Sequence, residues 1–229
     1  MLACDYDGTI ASDGVISLNA EQALIEVKRA GLLLGLVTGR RFENLLNVCP
    51  QIKLFDLVVA ENGAVLHLPA SGEVEDLAGS PPPRFMEELA RRGVPSYIGR
   101  VIVGTPRIYE HEVLSVICEL ELELQVIFNR GSAMILPNGI DKAMGLKAGL
   151  KRIGITPGEV IGIGDAENDQ AFLQVSGFQV AVANALDSVK ADADLVTSRP
   201  NGEGIAEFVR EHLLSGGRKC DENLLFLQR

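Results

Sequence analysis

The sequence predicts an α/β protein: a Rossmann-like parallel-sheet core into which a small α+β domain is inserted. Three observations carry this. Short apolar runs alternate with amphipathic ones along most of the chain, the rhythm of a parallel sheet covered by helices. Pro81-Pro82-Pro83 interrupts that rhythm, and proline both fixes φ and disfavours helix in the residue before it. After Pro137-Asn138-Gly139 the rhythm resumes. The expected division is a discontinuous core of residues 1–79 and 140–214, an inserted domain of residues 80–139, and a tail over 215–229.

Each element has its own signal. Residues 2–4 read as a short first strand. Residues 19–30 read as a helix, with Ala20, Ala23, Leu24 and Val27 on one face and Gly31 as its stop. Residues 32–37 are a second buried strand, 41–48 a short helix and 57–60 a third strand. Residues 65–77 contain Pro69-Ala70-Ser71-Gly72, a turn signal that predicts a hairpin. In the insert, a helix over 84–92 leads to a strand over 97–103. A second helix over 110–121 leads to strands over 124–128 and 133–136. The Glu-Leu alternation at 119–124 also fits a strand. Asp141 caps a helix that runs through Arg152, with Gly154 just beyond it. Then follow a strand over 160–163, a helix over 167–175, and strands over 179–182 and 195–197. A helix over 203–214 closes the core, and Gly216-Gly217 opens the tail.

Composition bounds the function. With 229 residues, 47% of them hydrophobic, the chain can bury one sizeable core and a small accessory one. Mean hydropathy is +0.18, but no apolar run reaches the roughly 18 residues that span a bilayer. The start has neither a basic region nor a long apolar one, so a cytoplasmic protein is expected. Cys4, Cys49, Cys118 and Cys220 are scattered without a CxxC pair, as are His67, His111 and His212, which speaks against a thiolate zinc site. The net charge of -10 speaks against a broad nucleic-acid surface. It leaves room for phosphorylated small molecules, because a bound cation reverses the sign locally.

The reactive residues sit at strand ends, where open parallel sheets bind ligands. The first strand ends in Asp5-Tyr6-Asp7-Gly8-Thr9, the second in Thr38-Gly39-Arg40, the third in Glu61-Asn62-Gly63. The strand at 160–163 ends in Gly164-Asp165-Ala166-Glu167-Asn168-Asp169. Each segment alone also reads as an ordinary turn or helix cap. Together they bring Asp5, Asp7, Asp165 and Asp169 to one end of the sheet, a costly arrangement without a cation. Hard oxygen ligands with no nearby His or Cys point to Mg²⁺ rather than zinc.

In these motifs and their order the sequence resembles the haloacid-dehalogenase-like phosphatases. It is most similar to the branch with a cap inserted between the second and third motifs: Cof-type sugar phosphatases, sucrose-phosphate phosphatases and archaeal phosphoglycolate phosphatases. Val182-Ala183-Asn184-Ala185 and Asn201-Gly202-Glu203-Gly204-Ile205 add to the likeness. The resemblance implies that Asp5 attacks phosphorus to form an aspartyl-phosphate and that Asp7 moves the protons. It implies Mg²⁺ on the Asp5 carboxylate, the Asp7 carbonyl and Asp165, with Asp169 binding directly or through water. Thr38, the Gly39 amide and Lys142 would hold the phosphoryl group, and Asn168 would bind there or orient its loop. Arg40 would reach substrate or cap, or form a salt bridge within the core. Where the family usually has glycine after the lysine, this chain has Ala143.

The implied substrate is a small phosphorylated metabolite, phosphoglycolate or a sugar phosphate, and the expected assembly is a monomer or homodimer. Arg100, Arg107, Arg130 and Ser132 are the insert residues with the chemistry to read a leaving group. A sugar phosphomutase on the same scaffold, or a non-catalytic binding module, are the rival readings. A mutase would call for a larger, arginine-rich cap, and Arg84, Arg91 and Arg92 instead cluster on one helix face.

Overall fold

The computed structural model describes residues 1–129 and 131–215. Arg130 and residues 216–229 of the tail lie outside them. Eight strands form the main sheet. They are β1 (Leu2–Cys4), β4 (Leu34–Val37), β5 (Leu57–Ala60), β6 (Val65–Leu68), β7 (Glu73–Asp76), β12 (Ile161–Gly164), β13 (Phe178–Ala181) and β14 (Leu195–Val196). The spatial order is β14-β13-β12-β1-β4-β5-β6-β7. Strands β14 through β5 are parallel, and β6 and β7 return antiparallel at one edge. The chain order reverses at β1, which pairs with β4 on one side and β12 on the other. Such a switch point opens a crevice at the carboxyl ends of the strands.

Helices α1 (Leu18–Arg29), α2 (Phe42–Val48), α5 (Lys142–Ile153), α6 (Gln170–Val175), α7 (Asp187–Asp192) and α8 (Asn201–Phe208) accompany the sheet. The Ser17 hydroxyl caps α1, and Ala20, Ala23, Leu24 and Val27 bury one stripe of it. Asp141 caps α5, which ends at Gly154 in the left-handed region. Close packing of α5 comes from glycine on both sides. A Cβ on Gly63 would lie 1.8 Å from the Asp141 carbonyl oxygen, and one on Gly145 would lie 2.6 Å from Gly63 Cα. Ala143 therefore need not be glycine; the close approach is made by its neighbours.

Between β7 and α5 the chain builds α3 (Pro83–Arg91), β8 (Tyr97–Ile98), β9 (Val103–Pro106), α4 (Glu110–Glu119), β10 (Leu124–Asn129) and β11 (Ser132–Pro137). The four strands make an antiparallel sheet ordered β10-β11-β9-β8. Phe85, Leu89, Val113, Val116 and Ile135 form a second apolar cluster there. Alternation along β11 sends Ile135 into that cluster and Met134 and Leu136 into the main core.

Several expectations differ in detail. The strand expected over 97–103 is two strands joined by a turn, because the N–H groups of Arg100, Val101 and Ile102 go to the Glu61 carboxylate. The helix expected over 167–175 begins as a 3₁₀ turn at Glu167–Asp169. The last helix stops at Phe208 and continues as a π turn through Leu213. The small hairpin of β2 (Ala11–Ser12) and β3 (Val15–Ile16), and helix α7, had no signal strong enough to be read.

Candidate active site

Asp5 extends the β1 ladder, its N–H donating to the Ile163 carbonyl at 2.9 Å. The chain then curls: Ile10 and Ala11 donate to the Tyr6 carbonyl at 3.1 and 2.8 Å, and Gly8 takes φ +88°. Asn184 fixes this curl by donating to the Gly8 carbonyl at 2.8 Å, while its own oxygen accepts the Asn201 N–H at 2.7 Å. The Asp5 side chain is buried and accepts from Lys142 Nζ at 2.5 Å. Lys142, the first residue of α5, also donates to Asp169 at 2.5 Å. The other Asp169 oxygen accepts the N–H groups of Asp165 and Ala166 at 2.9 Å each, closing the loop after β12. The Thr9 hydroxyl donates to Asp165 at 2.8 Å.

Carboxylate oxygens of Asp5, Asp165 and Asp169 lie within 4.8 Å of one another, all three residues buried. The Lys142 ammonium pairs with two of these carboxylates, Asp5 and Asp169, in a buried, low-dielectric setting. The donor set is all oxygen, which fits a hard divalent cation and not zinc. Burial first, and the Asp169 charge second, push the Asp5 carboxyl well above the ordinary range; Lys142 opposes this and Asp165 adds to it. For Lys142, burial alone would lower the pKa, and the charges of Asp169 and Asp5 overcome it, leaving it raised.

The Asp7 carboxylate is outside this cluster. Past the turn it meets Arg40, which forks onto it with two bonds of 2.6 Å and lies 5.1 Å over the Tyr6 ring. Four acidic residues are expected at one point; the structure gathers the carboxylates of three and turns the fourth to an arginine. Thr38 is buried at the end of β4, its oxygen accepting the Arg40 N–H at 3.1 Å. Gly39 is pressed by Met134 of the insert: a Cβ there would lie 3.2 Å from its sulfur. Asn168 donates to Asn62 at 3.1 Å, tying the β12 loop to the end of β5, and its own oxygen is buried without a partner among the described residues.

A cleft of about 250 Å³ opens above these groups. Asp5, Asp7, Thr38 and Arg41 line it from the core, and Tyr97 and Ser132 from the insert. That volume lies below the roughly 300–1,000 Å³ of pockets for drug-sized ligands. A second cavity of about 260 Å³, bordered by Asp165, Glu167 and Arg107, shares Asn129 with the first. Among the insert's candidates, Ser132 thus faces the cleft. Arg107 stacks 4.6 Å over Phe128, and Arg100 pairs with Asp76 at 2.6 Å. Arg91 and Arg92 pair with Glu88.

A family model of haloacid dehalogenase-like hydrolases matches residues 2–78 and 113–209. The chain belongs to this family. Phosphoglycolate phosphatase 2 of Saccharolobus solfataricus is 32% identical over 229 positions, 96% of each chain. A phosphoglycolate phosphatase of Methanothermobacter thermautotrophicus is 33% identical, covering 93% of this chain and 98% of its own. A crystal structure of a haloacid dehalogenase-like hydrolase from Bacteroides thetaiotaomicron superposes with a TM-score of 0.80 at 23% identity, over 92% of this chain and 98% of that one. The protein is accordingly an enzyme of the phosphoric monoester hydrolase class. No helix among its described residues is long and apolar enough to cross a membrane.

In this haloacid dehalogenase-like hydrolase the sequence motifs leave two groups unassigned. Arg41 lines the cleft, donates to the Ile98 carbonyl at 3.1 Å and lies 5.9 Å over the Tyr97 ring. It has no carboxylate partner among the described residues. Glu61 and Asn62 both adopt positive φ, +52° and +55°. Two such non-glycine residues in succession store strain of order 1–3 kcal/mol each, which persists only where surroundings impose it. The visible signal was a strand end reading Glu-Asn-Gly; what it holds lies in the insert, out of reach of local pattern.

Proposed function

We propose that the enzyme is a Mg²⁺-dependent phosphatase of small, carboxylate-bearing phosphate monoesters of the phosphoglycolate type. The observation that carries this is Asp5: a buried carboxylate at the switch point, grouped with Asp165 and Asp169 and opening into a small cleft. Asp5 attacks phosphorus as the ester bond breaks, forming an aspartyl-phosphate; water then attacks that phosphorus, releasing phosphate and restoring Asp5. Asp7, oriented by Arg40 at the mouth, gives a proton to the leaving oxygen and takes one from the water. The Thr38 hydroxyl, the Gly39 N–H and Lys142 hold phosphoryl oxygens. Asp169 positions Lys142 and the Asp165 loop. Asp5, Asp165 and the Asp7 carbonyl would hold the cation, which would supply neutralisation of the phosphoryl charge. Residues 80–139 act as the cap that excludes water.

Arg41 selects the carboxylate class over neutral sugars, because its charge faces the cleft without an acidic partner among the described residues. Arg41→Ala is expected to lower kcat/KM for phosphoglycolate about ten- to a hundredfold, the loss of a charge-assisted hydrogen bond. Hydrolysis of p-nitrophenyl phosphate should stay within about threefold. Equal losses on both esters would remove Arg41 from substrate reading. A phosphate-release screen over glycolate, sugar and nucleotide esters with Mg²⁺ tests the class itself.

The Asp5 carboxyl also predicts a linkage. Its pKa is raised in the folded state, so the folded protein binds more protons than the unfolded chain between the ordinary carboxyl range and the raised value. The stability it contributes is complete below that window and is lost as pH rises through it. A cation held at Asp5 would take the place of the proton. In thermal melts, the Tm gained on adding Mg²⁺ to chelator-treated protein should therefore grow as the pH rises above the ordinary carboxyl range. A gain that is flat or shrinks with pH would exclude Asp5 as a ligand.

A further inference from the structure

Glu61 is fully buried, yet it is outside the acidic cluster and in no ion pair among the described residues. Four backbone N–H groups converge on it instead. Phe42 at 3.1 Å and Arg100 at 2.9 Å donate to Oε1; Val101 at 2.8 Å and Ile102 at 2.9 Å donate to Oε2. Phe42 opens α2 directly after Arg40 and Arg41. The other three form the turn between β8 and β9. One core carboxylate thus fastens the Arg40–Arg41 wall of the cleft to the Tyr97–Ile102 wall. The strained backbone at Glu61 aims the side chain across this gap, and Glu61 and Asn62 bond back to the Arg40 and Thr38 carbonyls at 3.0 Å each. On the insert's side Gly99 leaves the space: a Cβ there would lie 2.4 Å from Glu61 Oε1. Turn amides that would otherwise face water are spent on an anion from the core, an internal version of an anion-binding nest.

We infer that Glu61 is a positioning residue for ester hydrolysis: it holds the β8–β9 turn on the core so that Tyr97 and Ile102 close the cleft opposite Arg41, and so limits the size of leaving group admitted. This rests on the phosphatase reading. Two variants reach the contact from opposite sides. Glu61→Gln keeps the shape but turns an NH₂ group toward two of the four N–H donors. Gly99→Ala leaves the core intact and displaces the carboxylate from the insert.

In both variants kcat/KM for phosphoglycolate relative to p-nitrophenyl phosphate should fall at least about tenfold. That ratio does not depend on how much of the enzyme is folded. Amide hydrogen exchange at residues 42, 100, 101 and 102 should accelerate in Glu61→Gln, while the β5 amides keep their protection. Unchanged exchange at these four amides would overturn the clamp. Accelerated exchange with an unchanged substrate ratio would overturn its role in selection. If the wild type cleaved neither ester, the phosphatase reading would fail by itself, and the exchange pattern would still decide whether Glu61 holds the insert.

Discussion

Asp5→Asn is expected to abolish turnover and to make the metal-free protein no less heat-stable. The two effects have one source. Under the proposed reaction Asp5 is the nucleophile, and removing such a group costs on the order of 10⁴-fold or more in kcat. As a charge, it is an unwelcome occupant: burial and the adjacent Asp169 hold its carboxyl well above the ordinary range. Asparagine keeps the size and an oxygen that accepts from Lys142, and it removes one of three crowded negative charges. Phosphate release and thermal melts in chelator check both halves. Turnover above about 1% of wild type would end the assignment of Asp5 as nucleophile. A Tm several degrees lower would show that the Lys142–Asp5 pair stabilises more than the crowding costs.

Lys142→Met should act in the opposite direction on stability. It leaves the buried Asp5 and Asp169 carboxylates without the ammonium they share, and breaking a buried pair from one side costs about 3–5 kcal/mol. For a chain of this size that is a drop of about 6–20 °C in Tm. Activity should fall as well, because in the proposed reaction Lys142 helps to hold the phosphoryl oxygens. Mg²⁺ should recover part of the stability and little of the activity. A variant as stable as wild type in chelator would mean that the cluster is protonated without Lys142 and that the ion pair is not what holds it.

The parts of the site legible in the sequence are those written at strand ends. Asp5, Thr38, Lys142 and Asp165 follow apolar runs or open a helix behind an Asp cap, so their convergence follows from the parallel sheet alone. The pairing of Asp7 with Arg40 was legible only as a possibility, because it depends on how the chain curls at Gly8. The sequence over 97–103 reads as one strand because its local pattern is continuous. Its break comes from Glu61, a residue some forty positions earlier whose carboxylate competes for the ladder's N–H groups. Arg41 carries no sequence signal for a similar reason: beside Arg40 it looks like a second basic residue at a helix start, and only the insert's Tyr97 and Ile98 show which way it faces.

The placement of β1 between β4 and β12 has a consequence for how the protein is made. Its first neighbour, β4, follows soon in the chain, but its second arrives only after the whole insert has been synthesised. At about 5–20 residues per second that is on the order of ten seconds during which one edge of an apolar strand stands open. Its side chains Leu2, Ala3 and Cys4 are all buried in the finished protein. The strand that leads into Asp5 is thus open to wrong pairing while the insert is being made. Conditions that slow elongation through the insert should lower soluble yield more than they lower the stability of the enzyme once folded.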